Sequence, residues 1–289
     1  MRRVVVIGGD GVIGSALREE LARRGVACVW TSRRGGDAGA LGLDLEADPA
    51  GWPSLPEADA AFVCAGMTKL AGCAAEPDRA WLVNVERTAL LTGLLAARSG
   101  VVVNLSTSQV FDGTRAAPGE GEAVSPVSGY GRVKAAMESA VREAAPGGLV
   151  ARIVKVFGAP PNLWSGWRRE LGAGRSIEAF ADLVIAPLRR PVAARLLLDV
   201  AAARARGELG PVAHLTAARD ESYHRLALRL AAVMGVDPGL VGRASAEAQG
   251  MPAEHRPACT TLGRSTMDRV GETPPDPLDA VVEAAGVDV

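Results

Sequence analysis

The chain has 289 residues, 48% hydrophobic and 22% charged, with 32 Lys and Arg against 33 Asp and Glu. A net charge of −1 supplies no basic field for nucleic acid or anionic lipid, so a phosphate-backbone or membrane-surface role is excluded as a first reading. The length suits one large α/β domain or two closely joined ones, burying about three-quarters of the surface the unfolded chain exposes.

In chain order, Val4–Ile7 is a continuous β-branched run, as in a strand buried on both faces of a parallel sheet. It is too short for a signal peptide or a membrane span, and a cytoplasmic protein is expected. The turn Gly8-Gly9-Asp10-Gly11-Val12-Ile13-Gly14 follows, and Ile13, Ala16, Leu17 and Leu21 then recur at helical spacing up to Gly25. Strand and helix keep alternating: strands at 26–30, 58–64, 101–105 and 149–154, and helices at 77–98 and 129–145. Such βα repetition predicts a Rossmann-type, doubly wound parallel sheet covered on both faces. After Gly158 the pattern loosens through Pro160-Pro161, the Trp164/Trp167 pair and the proline-rich stretch 251–277, with helices predicted at 192–206 and 222–234. The expected organisation is a dinucleotide-binding domain over 1–157, to which 191–216 returns, and a smaller α/β substrate-binding region over 158–190 and 217–289.

The spacing G-x-x-G-x-x-G between a strand and an amphipathic helix is the context in which a pyrophosphate is held. Glycine permits the sharp turn, the close backbone approach and the tight helix packing, while the helix N-terminus faces the negative charge. Gly8, Gly11, Val12, Ile13 and Gly14 are the candidate contacts. The second strand ends in Ser32-Arg33-Arg34 with no acid for a ribose 2′-hydroxyl. A hydroxyl and two guanidiniums suit a 2′-phosphate, so NADP(H) is the expected cofactor.

Only two tyrosines and three lysines occur in the chain, yet Tyr130 and Lys134 fall at i and i+4 on one helix face. A phenol with an ordinary pKa of about 10 is a poor acid-base catalyst near neutrality, and an adjacent ammonium would lower that pKa. Thr107 or Ser106, at the end of the preceding strand, could hold a substrate oxygen beside Tyr130. The four cysteines show no C-x-x-C pair and the three histidines no ligand spacing, so neither a metal site nor a disulfide framework is expected.

These residues resemble the extended short-chain dehydrogenase/reductase superfamily over nearly the whole chain, and within it the dTDP-4-dehydrorhamnose reductases. The resemblance is carried by GGDGVIG at 8–14, Asp44-Leu45, Cys64-Ala65-Gly66, Asn84, Ser106-Thr107, Tyr130/Lys134, AGMTKLAGCAAEP at 65–77, STSQVFDG at 106–113, ARIVKVFG at 151–158 and HRPACTTL at 255–262. It implies that Asp44, Leu45, Cys64, Ala65, Gly66, Asn84 and Ser106 contact the cofactor, along with Tyr130 and Lys134. Thr107 would polarise a ketone, Tyr130 donate its proton and Lys134 tune Tyr130. The implied substrate is a 4-keto deoxysugar nucleotide. Lys69, Ser108, Gln109, Lys155, Asn162, Trp164, Arg168 and Arg256 are candidates for contacting it, and a homodimer is a further expectation. The chain departs from the subgroup at Ser108-Gln109, usually Asp then Tyr, and at Lys155, usually Trp. Two other functions use the same scaffold: an NAD(P)-dependent sugar-nucleotide epimerase and a non-catalytic regulatory subunit.

Overall fold

The structure is a computed structural model that describes residues 1–36, 39–158 and 161–286. Pro160, within the proline pair noted above, lies outside them. The chain opens with β1 (Arg3–Ile7), α1 (Val12–Arg23), β2 (Ala27–Ser32), β3 (Leu41–Gly42) and β4 (Ala58–Val63). Next come α2 (Leu70–Ala75), α3 (Pro77–Trp81), one wide π-type turn (Leu82–Arg87) and α4 (Thr88–Ala96). They are followed by β5 (Ser99–Thr107), α5 (Gly129–Ala144) and β6 (Leu149–Ile153). Then follow α6 (Leu163–Gly172), β7 (Ile177–Phe180), β8 (Val184–Ile185), α7 (Arg190–Ala205) and β9 (Val212–Leu215). The chain closes with β10 (Glu221–Ser222), α8 (Tyr223–Met234), β11 (Val241–Ala244), α9 (Ser265–Arg269) and α10 (Pro277–Ala284).

Seven strands form one sheet in the order β3-β2-β1-β4-β5-β6-β9, and every pairing in it is parallel. The order reverses between β1 and β4, which opens a crevice at the carboxyl ends of the strands, the usual ligand position in such sheets. One face packs Val4, Val6 and Phe62 against Leu17 and Leu21 of α1 and Leu196, Leu197 and Val200 of α7. On the other face, Val5, Ile7 and Val63 meet Val83, Leu91 and Leu95. Strand residues buried on both faces explain why β1, β4 and β5 read as continuous apolar runs rather than alternations.

A second cluster joins Trp164 and Leu171 of α6, Ile177 and Ala179 of β7, Leu226 and Leu230 of α8 and Val281 of α10. Two small ladders, β8–β10 antiparallel and β7–β11 parallel, accompany it. The short strands β3, β7, β8, β10 and β11 have too few residues to show a period and are absent from the sequence reading. The helix predicted over 77–98 is helical through Ala96 but is interrupted by the wide turn, a feature often found at functional sites.

Candidate active site

The glycine turn is built for close backbone approach. Gly8 has φ +78°, and a Cβ there would stand 2.9 Å from the Ala65 amide nitrogen. A Cβ on Gly14 would stand 2.1 Å from the Gly8 carbonyl oxygen, and one on Gly11 3.3 Å from the same atom. Gly9, not singled out in the sequence, is equally constrained: its Cβ would meet the Trp30 ring at 2.7 Å. Arg18 stacks 3.6 Å from the centroid of that ring and donates to the Gly9 carbonyl, fixing the turn from outside. No side chain caps the first turn of α1, and no acid lies in it, so the backbone N–H groups there remain available to an anion. This cradle fits the pyrophosphate of a dinucleotide. Val12 is exposed beside it, its Cγ2 3.2 Å from where a Cβ on Gly158 would sit, which brings the turn next to the end of the β6 segment.

At the end of β2, Arg33 and Arg34 are exposed and Ser32 is buried. The Ser32 hydroxyl accepts from the Arg34 amide at 3.2 Å and donates to Asp10 at 3.0 Å. The strand itself lacks an acid, as the sequence indicates, yet the turn delivers Asp10 to the same place. Sequence spacing alone gave no sign of it. Asp44 accepts from the Glu46 amide, while its carbonyl accepts from the Trp52 indole at 2.8 Å; Leu45 is buried.

Asn84 lies in the wide turn and clamps the loop after β4. Its side-chain oxygen accepts from the Met67 amide at 2.8 Å, and its nitrogen donates to the Met67 carbonyl at 2.9 Å. Gly66, at φ +152°, would put a Cβ 2.7 Å from the same Asn84 oxygen. The Cys64 amide extends the β1–β4 ladder by donating to Ile7, so Cys64-Ala65-Gly66 runs directly beside the glycine turn.

Thr107 ends β5, and its hydroxyl accepts from the Gln109 amide at 3.2 Å. The N-terminus of α5 packs onto the turn that follows: a Cβ on Gly131 would stand 2.2 Å from the Gln109 carbonyl. Ser128 caps α5 through the Gly131 amide and donates to the Gln109 side chain at 3.3 Å. Gln109 is thereby held at the helix cap, and Ser108 lies half-buried in the same turn. Gly131 is a positional requirement that the sequence reading missed, although a glycine between Tyr130 and Lys134 was its visible sign.

Lys134 reaches back from α5 to β5, donating to the Leu105 carbonyl at 2.5 Å and contacting the Met137 sulfur at 3.0 Å. Burial lowers its ammonium pKa to about 8, against the opposing pull of Glu138. For Tyr130 the direction differs from the expectation. Burial, reinforced by the Cys73 thiol, raises the phenol well above its ordinary value, because loss of water disfavours the charged phenolate. Tyr130 is therefore held as the neutral phenol, the form that can donate a proton.

The Ser106 hydroxyl donates to Glu138 at 2.6 Å. Glu138 pairs with Arg152 at 2.7 Å, both side chains being about 5% exposed or less, and Arg152 meets His214 at 3.3 Å. Four other expected contacts are occupied within the fold. Trp164 is fully buried and stacked on Tyr223 at 5.6 Å. Asn162 caps α6 in a reciprocal box with Ser165. Arg168 donates to the carbonyls of Ala285 and Gly286, and Arg256 to Met251 and Glu247. Lys69 and Lys155 remain exposed.

A glycine cradle at the sheet's switch point and a Thr–Tyr–Lys set at the β5–α5 junction define an NAD(P)-dependent oxidoreductase of the extended short-chain dehydrogenase/reductase type. More narrowly, the chain belongs to the RmlD substrate binding domain family, whose model matches residues 1–285. It is 28% identical to the dTDP-4-dehydrorhamnose reductase of Mycolicibacterium smegmatis over 279 residues, 94% of this chain and 81% of that one. It is 30% identical to that of Streptomyces griseus over 285 residues, 94% and 89% of the two chains. The fold matches the dTDP-4-dehydrorhamnose reductase of Bacillus anthracis in complex with NADP, with TM-score 0.79 at 20% identity and 98% of each chain covered.

Proposed function

We propose that the protein reduces the ketone of a 4-keto deoxysugar nucleotide, using NADPH and Tyr130 as the proton donor. NADPH, when bound, supplies the hydride. The residues that would hold it are the Gly8–Gly14 turn, Ser32, Arg33 and Arg34, Asp44 and Leu45, Cys64 to Gly66 with Asn84 behind them, Tyr130 and Lys134. The relatives' names and the NADP complex support this reading. The single observation that carries it is that α5, the helix of Tyr130 and Lys134, abuts the turn after β5, the strand that Thr107 ends.

The Thr107 hydroxyl orients the ketone oxygen and stabilises negative charge growing on it. Tyr130, kept neutral by burial, passes its phenolic proton to that oxygen as the carbon accepts hydride. The phenolate left behind is stabilised by the Lys134 ammonium, which the Leu105 carbonyl holds in place. Residues 1–157 with 191–216 form the cofactor-binding part in this reading, and 158–190 with 217–289 close over the substrate. Pairing of two copies is part of this reading. Light scattering of the purified chain tests that pairing: a monomer mass at micromolar concentration removes it. The activity itself is tested by following NADPH absorbance with a panel of 4-keto sugar nucleotides. Oxidation that needs both ketone and enzyme supports the reading, and none across the panel rejects it.

A further inference from the structure

Lys155 follows β6 at the carboxyl end of the sheet and, among the described residues, has no anionic partner. Across the β5–β6 ladder Thr107 is in register with Ile153, the last residue of β6. Lys155 comes two residues later, about 7 Å further along an extended chain, at the carboxyl end of the sheet where Thr107 also sits. Its backbone is fixed: the Lys155 carbonyl accepts from the Leu188 amide at 2.8 Å, and Val156 bridges Leu188.

The ammonium itself is not fixed by charge. Among the described residues Lys155 makes no ion pair, and its one recorded side-chain contact is the Phe157 ring, 6.0 Å from the nitrogen. Of the other cations expected around the substrate, Arg168 is tied down by two carbonyls and Arg256 by Met251 and Glu247, while Lys69 stays exposed outside the strand end. Although Lys155 is exposed by area, loss of water around its ammonium lowers its pKa, and no opposing charge offsets that loss. An unpaired, partly desolvated ammonium is costly unless an anion arrives with the ligand.

We infer that Lys155 is a substrate-specificity residue that receives an anionic group of the sugar nucleotide. Two sources have that chemistry, a carboxylate on the sugar ring and the diphosphate. The inference rests on the reading that this crevice takes a nucleotide sugar. A neutral side chain here would select neutral sugars, whereas the ammonium adds a charge-assisted contact close to the reacting carbon.

Binding separates the inference from catalysis. Calorimetric Kd values are measured for the NADP-loaded protein with UDP-glucuronate and UDP-glucose, using wild type, Lys155→Met and Lys155→Arg. A sugar carboxylate predicts that Lys155→Met weakens UDP-glucuronate roughly ten- to a hundredfold and leaves UDP-glucose unchanged, with Lys155→Arg recovering most of the loss. Equal loss for both ligands also supports the anion contact and assigns it to the diphosphate. Unchanged Kd values for both ligands in Lys155→Met, or no binding of either by wild type, overturn the inference. NADP affinity of the variant serves as the folding control. Failure of the reductase reading shows separately, as absent NADPH oxidation by wild type with keto sugars.

Discussion

Ser106 donates a 2.6 Å hydrogen bond to Glu138, joining the end of β5 to the helix that carries Tyr130 and Lys134. Ser106 precedes Thr107, and Glu138 is one helical turn beyond Lys134, so the bond ties together the two elements on which the candidate catalytic groups stand. Arg152 of β6 completes the charge balance from below, and Glu120 extends the network by accepting from Ser265 and Thr266 at the start of α9.

Removing one member of this buried pair strands the other charge. Glu138→Ala is expected to cost about 3–5 kcal/mol of stability, measured by urea denaturation. A double replacement of Glu138 and Arg152 by apolar residues of similar volume should cost less than the single variant. Equal or greater loss in the double variant would contradict the account of the pair as a charge requirement.

The lowered Lys134 pKa sets an alkaline limit. Its ammonium is intact below about pH 8 and is lost above it. With kcat/KM dependent on that charge, the rate should decline through pH 8 rather than near the ordinary lysine value. The stability effect has the opposite sign: the unfolded chain holds this proton up to about pH 10 and the folded chain does not, so folding gains stability with rising pH between about 8 and 10. A rate that stays flat to pH 10 removes Lys134 from the proton-transfer step.

His214 sets an acid limit. Its imidazole is fully buried, and loss of water lowers its pKa to about 4 from the ordinary 6.5. The unfolded chain therefore takes up a proton that the folded chain refuses between pH 6.5 and 4. Stability should fall across that window by roughly 3 kcal/mol from this residue. Urea midpoints for wild type and His214→Asn should converge as pH falls from 7 to 4; parallel curves would show that His214 does not carry the effect.

Two glycines test the backbone approach. Gly14→Ala forces a Cβ against the Gly8 carbonyl and should weaken NADPH binding about tenfold or more. Gly131→Ala forces one against the Gln109 carbonyl and should lower kcat, because it lifts α5 from the turn after Thr107. Fluorescence titration with NADPH distinguishes them: the first variant shifts Kd, whereas the second shifts it much less than it shifts kcat.

The parts of the site legible in the sequence are those that local spacing encodes. The turn at Gly8–Gly14 and the Tyr130/Lys134 pair each lie within one short segment, and strand and helix periods place them. Long-range pairings left no such trace. Nothing near Ser106 signals that its hydroxyl faces Glu138, 32 residues away. Asp10 reaches Ser32 only because β1 and β2 are neighbours. Trp164 reads equally well as a pocket aromatic or a core residue from sequence, and its contacts with Phe157, Trp167 and Tyr223 place it in the second core. The direction of the Tyr130 pKa was likewise out of reach, since it follows from burial rather than from spacing.

The most direct measurement of the central claim is the steady-state turnover of Tyr130→Phe with NADPH and a 4-keto sugar nucleotide, alongside its NADPH Kd. The substitution removes the phenolic hydroxyl that donates the proton and keeps the ring. The account predicts that kcat falls about a hundredfold or more while the Kd stays within about twofold. Wild-type kcat in Tyr130→Phe would contradict it.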